Sequence, residues 1–171
     1  MIARMDVLSE KRIIEVGRVH TAVVKGTVAF ADITSFFDRV FTAVPAAIHA
    51  AGVVPAGPAF ARYNSHPTDT VDIEAGFAVS EPYEGASEVS VGEDGVVAGE
   101  LPAGRVATAT LRGGYDLLSA AWPEMIGWVM SQGEHPGEVS WEVYVTEPTP
   151  DADPAAMITE LYCTLLKRSS T

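Results

Sequence analysis

The chain reads twice. A shift of 81 residues places Phe41 on Trp122, Ile48 on Val129, Gly52 on Gly133, Pro55 on Pro136, Phe60 on Trp141 and Tyr63 on Tyr144. Upstream the offset grows to 87, matching Lys25-Gly26 to Arg112-Gly113, and downstream it is 86, matching Glu74 to Glu160. Small loop insertions account for the drift. Such a repeat constrains the fold more than any local signal, because whatever one copy forms the other must form too, and the joined copies share one core.

Within each copy, hydrophobic periodicity supplies the elements. Ile33, Phe36, Phe37, Val40, Phe41, Val44 and Ile48 recur at three- and four-residue spacing, the stripe of an amphipathic helix. Asp32 is its expected N-cap, Gly52 its stop, and Pro45 an expected kink. Leu118, Ala121, Trp122, Met125 and Val129 mark the second helix, with Asp116 and Gly133 at its ends. A strand precedes each helix (19–25 and 105–112), and two follow it (60–65 and 71–79; 141–146 and 158–165). Each copy is therefore βαββ. The expectation is one α+β domain spanning residues 1–171: repeat one over about 11–80, a linking hairpin over about 81–100 that adds edge strands around Gly92-Glu93-Asp94-Gly95, and repeat two over about 101–166. The two copies are expected to join in one antiparallel sheet; if both helices cover one face of it, the other face would carry a groove at the pseudo-two-fold.

Strand alternation assigns side chains to faces. Trp141, Val143 and Val145 are expected to pack on the helices, leaving Glu142, Tyr144 and Thr146 on the open face. By the same logic Ile73, Ala75 and Phe77 point inward and Glu74 outward, while Leu161, Cys163 and Leu165 point inward and Glu160 and Tyr162 outward. Cys163 then reads as a buried core thiol and not a nucleophile. The open face would display Tyr63, Glu74, Glu142, Tyr144, Glu160 and Tyr162. A lining of aromatic rings and carboxylates suits a flat, apolar cation, since a ring face attracts positive charge by about 0.5–2 kcal/mol. A wet face built for solubility is the plain alternative. Against it, the tyrosines stand at matched positions of both copies, and Glu142 replaces Ala61, as though one copy were specialised.

Charge supports a cationic ligand and excludes other partners. Eleven Lys and Arg against 23 Asp and Glu give 11 − 23 = −12, the wrong sign for direct contact with nucleic acid or with an anionic membrane surface. One cysteine excludes an intramolecular disulfide framework, in keeping with a cytoplasmic protein. The N-terminal segment lacks the apolar core of a signal peptide, and the uncharged stretch 42–61 is broken by Pro45, Pro55 and Pro58. No metal or other cofactor is expected: His20, His49, His66 and His135 are scattered, and the run 149–154 lacks the Gly and distal Glu of a calcium loop. His66 is a candidate for the groove edge, and Trp128 for the groove edge or a partner surface.

Four segments, TDTVDIEAGFAV (68–79), LPAGRVATATLRGGYDLL (101–118), WEVYVTEPT (141–149) and TELY (159–162), resemble the GyrI-like, or AraC effector-binding, small-molecule-binding family over residues 11–166. The resemblance implies a duplicated βαββ domain, shared with the ligand-binding domains of MerR-type multidrug regulators, whose WEVY and TELY glutamates, here Glu142 and Glu160, contact cationic aromatic ligands. Many members carry a helix-turn-helix before this domain; only about 18 residues precede the first repeat strand here. The implied roles are a sensor or sequestering protein, a protein-binding inhibitor like the gyrase-inhibitor members, or a hydrolase opening cyclopropyl rings of DNA-alkylating natural products. Hydrolysis would use Glu142 or Glu160 as acid or base, with a tyrosine hydroxyl assisting.

Overall fold

The computed structural model describes residues 7–64, 69–82, 96–114, 117–146, 153 and 156–166. The expected features at His66, Asp116, the turn 92–95 and all of the run 149–154 except Asp153 lie outside these. Eight strands, β1 (Leu8–Val16), β2 (Val19–Ala29), β3 (Pro55–Tyr63), β4 (Thr70–Val79), β5 (Val97–Leu101), β6 (Gly104–Arg112), β7 (Pro136–Tyr144) and β8 (Ile158–Leu165), form one antiparallel sheet. Two helices, α1 (Ile33–Ala51) and α2 (Leu118–Ser131), complete an α+β fold. Among the described residues no helix is long and apolar enough to cross a membrane.

The strand order β1-β6-β8-β7-β3-β4-β2-β5 is a palindrome in kind. β2-α1-β3-β4 supplies one side and β6-α2-β7-β8 the other, and they meet where β3 pairs with β7. Each half also places its preceding strand beyond the other: β1 pairs with β6, and β5 with β2. β5 is the edge strand expected near the linking hairpin. β1 was not expected, because its charged residues hide a strand that is wet on much of its surface and bulged between Ser9 and Arg12.

The two-residue link Gly17-Arg18 forces this sheet to curl. Strands β1 and β2 stand six places apart in the order, about 29 Å across a flat sheet at 4.7–4.9 Å per strand. Two linking residues span about 11 Å at most. At that end the flanks must therefore approach each other, and the inner surface of the curl closes on itself. Its filling is a cluster with no helical member: Val23, Phe60, Leu101, Val106 and Trp141, with Ile14, Val97 and Tyr162 against it.

The opposite face carries the helices. Phe36, Val40, Val44 and Ile48 of α1 pack on Ala22, Val24, Ala61, Ile73 and Ala75. Ala121, Met125 and Val129 of α2 pack on Ala107, Ala109, Leu111, Leu161 and Cys163. Gly52 stops α1 in the left-handed conformation at φ 72°, as its position predicts. Asp32 sits at the N-cap, but its carboxylate makes no capping hydrogen bond; a short 3-10 turn over Phe30–Asp32 leads into the helix instead.

Candidate functional site

Alternation was sound for β4 and β8 but inverted for β7. Tyr144 packs in the α1 cluster, with its ring edge-on to Phe37 and Phe41, each at 6.2 Å. Trp141 points into the inner cluster and stacks on Tyr162 at 5.4 Å. The reason is the curl. Trp141 and Glu142 are each 3% exposed, so both faces of β7 are buried, and apolar character no longer tells which face the helices cover. The groove expected on the helix-free face is therefore corrected: Tyr63, Glu142 and Tyr144 lie on the helix face, while Glu74, Glu160 and Tyr162 lie on the other.

Glu142 is the centre of the helix-face group. Trp122 of α2 donates its indole N–H to Oε2 at 2.6 Å. The Tyr144 and Tyr63 hydroxyls donate to Oε1 at 2.8 Å and 3.1 Å. Three neutral donors satisfy the oxygens, and among the described residues no Lys, Arg or His forms an ion pair with them. A carboxylate held this way keeps its charge uncompensated. Burial accordingly raises the Glu142 pKa above its ordinary value of 4.5, against the opposing pull of the three hydrogen bonds. Burial, then the charge of Glu142, lifts both tyrosine hydroxyls well above their ordinary 10.0, so they are donors at any physiological pH.

The sheet register explains why one glutamate stands here and not two. Ala61 pairs with Glu142, flanked by Phe60 with Val143 and Arg62 with Trp141. The offset of 81 equates Ala61 with Glu142, so this pair sits at the midline where the β3 and β7 segments face each other. Carboxylates at both positions would be like charges directly opposed in a buried ladder, an unfavourable pair. Two further pairs equated by that offset gather at the same place: Tyr63 with Tyr144, and Phe41 with Trp122. Sequence reasoning assigned Phe41 and Trp122 to the core stripe and missed them here. Their match across the repeat, with an N–H on one member alone, was the available signal. Phe37 adds a wall by stacking on Phe41 at 5.5 Å, and Phe77 meets Phe41 edge-on.

The remaining candidates are engaged elsewhere. Glu74 accepts from Asn64 at 3.0 Å and lies 4.0 Å from the Arg62 guanidinium. Glu160 accepts from the Tyr162 hydroxyl at 3.1 Å, and burial followed by the charge of Glu160 raises that hydroxyl's pKa. Cys163 is a buried core thiol as expected, its pKa pushed up to about 11 by burial. Trp128 is half-buried and packs against the α2 core.

Known proteins share this architecture at low identity. The C-terminal domain of EcmrR aligns with TM-score 0.74 and 17% identity, covering 93% of this chain and 98% of that one. In the EcmrR–DNA complex the chain spans 58% of EcmrR. SAV2435, solved bound to tetraphenylphosphonium, aligns with TM-score 0.63 and 10% identity over 92% of this chain and 94% of that one. A hydrolase from Listeria innocua aligns with TM-score 0.63 and 14% identity, covering 91% of each chain. No curated protein sequence matches the chain. The GyrI-like small molecule binding domain, however, matches residues 9–165, nearly its whole length, and the chain belongs to that family.

Proposed function

We propose that the protein binds hydrophobic aromatic cations at Glu142, between the aromatic side chains that α1 and α2 bring to the sheet, and serves in the cytoplasm as a sensor or sequestering protein. One observation carries the reading: a buried carboxylate with its hydrogen bonds filled by neutral donors and its charge left unmatched. A ligand that supplies positive charge without needing hydrogen bonds completes such a site. Tyr63, Tyr144, Trp122, Phe37 and Phe41 offer rings to it, each cation–π contact adding about 0.5–2 kcal/mol. The tetraphenylphosphonium complex of SAV2435 supports the same ligand class. Glu74, Glu160 and Tyr162 are left out of the site, because they face the other side of the sheet.

Fluorescence titration with a cationic dye tests the reading. Saturable binding by the wild type that weakens at least tenfold in Glu142→Gln is expected; absence of saturable binding in both proteins would sink it. A neutral dye of the same shape should not distinguish the two.

A second reading is favoured by the geometry at Glu142: a buried carboxyl beside two tyrosine hydroxyls, its pKa raised by burial, has the groups that general-acid opening of a strained ring would use. The hydrolase from Listeria innocua gives it weight. Incubation with a cyclopropane-containing alkylator should then yield a ring-opened product by mass spectrometry, lost in Glu142→Gln. Retained turnover in that variant would reject it.

A further inference from the structure

One strand over from Glu142, on the same face of the sheet, stands a second buried polar group that is unsatisfied among the described residues. Thr159 of β8 pairs with Tyr144 on one side and Leu111 on the other. Its alternation with Leu161 and Cys163, both packed under α2, places its side chain on the helix face. Thr159 is 0% exposed, and its Oγ1 has no hydrogen-bond partner among the described residues. Buried hydroxyls are nearly always paired, because leaving one without a partner is costly. The hydroxyl of Tyr144, the residue paired with Thr159 on β7, donates to Glu142.

Position relates this hydroxyl to the carboxylate. Glu142 pairs with Leu161, and Tyr144 with Thr159, so Glu142 and Thr159 are diagonal cross-strand neighbours on one face, about 7–8 Å apart. We propose that Thr159 is a specificity-determining residue of this site, its hydroxyl donating to an ether or carbonyl oxygen carried across an aromatic ring from the positive centre of the cation. The inference rests on the reading of Glu142 as the cation site. It narrows the ligand class from any greasy cation to one with two recognition points. A hydrocarbon cation leaves the Thr159 hydroxyl orphaned, whereas an oxygen so placed fills it, and sites built to hydrogen-bond discriminate well against analogues that lack the partner.

Two phosphonium cations test this: tetraphenylphosphonium, and its analogue with a methoxy group at the far end of one ring. Each is titrated into wild type, Thr159→Val and Thr159→Ser. The wild type should bind the methoxy cation about tenfold more tightly, the discrimination of one buried hydrogen bond. Thr159→Val should erase that preference, and Thr159→Ser should keep it. Thermal melts should place Thr159→Val at or above the wild-type Tm, since an unpaired hydroxyl is removed. A wild-type preference near unity, or one that survives in Thr159→Val, overturns the role of Thr159 alone. Failure of both cations to bind the wild type overturns the Glu142 reading itself, and this inference with it.

Discussion

The Trp122 indole donates to Glu142 across 2.6 Å and so ties α2 to the centre of the sheet. This bond joins a helix read from sequence as plain core to the carboxylate on which ligand charge would act. Trp122→Phe keeps most of the ring and removes the donor. One acceptor site of a buried carboxylate is then unfilled, and a loss of about 1–3 kcal/mol is expected in urea denaturation. A loss below about 0.5 kcal/mol would show that the bond contributes little beyond water.

On the proposed reading of Glu142, ligand binding should depend on pH. Its pKa is raised in the folded protein, so its contribution to stability is fully present below the unfolded value and is lost as pH rises through the folded one. In the same window, from about 4.5 upward, a cation must compete with a proton. Affinity for a cationic dye should therefore climb with pH and then level off, whereas Glu142→Gln should give a flat profile. Wild-type affinity that does not vary with pH would count against the coupling.

Cys163 should be inert. With its thiol raised to about 11 by burial, a thiol-reactive chromophore should fail to label the native protein at pH 8 and should label it fully in denaturant. Rapid native labelling would mean that β8 opens readily.

Gly76 admits no side chain. A Cβ there would lie 2.0 Å from the Ala22 carbonyl oxygen of the paired β2 strand, so Gly76→Ala must break ladder hydrogen bonds or push β4 and β2 apart. A loss of more than about 3 kcal/mol, or failure to accumulate as folded protein, is the expected result. Gly57→Ala, where a Cβ meets only a methyl group at 3.5 Å, serves as the mild comparison.

The elements were legible where one physical cause dominated. The α1 stripe, the Gly52 stop and β8 over Ile158–Leu165 follow directly from periodicity. β7 misled because Trp141 and Glu142 are equally buried. Alternation reports a difference in exposure between faces, and the curl removes that difference. The curl itself depends on Gly17-Arg18 and on the pairing of β1 with β6, a long-range partnership that no local pattern announces. Glu142, Tyr144 and Tyr63 were singled out because they break or keep the repeat in a chemically telling way. Trp122 and Phe41 were not, since apolar rings on a helical stripe read the same whether they fill a core or wall a site.

The palindromic strand order carries one more implication. β1 is contiguous in sequence with β2 but completes the sheet of β6, and β5 leads into β6 but completes the sheet of β2. Each half thus lends an arm to the other. Neither segment can pair its own outer strand without the other, so the sheet and its midline at Glu142 are complete only when both are in place.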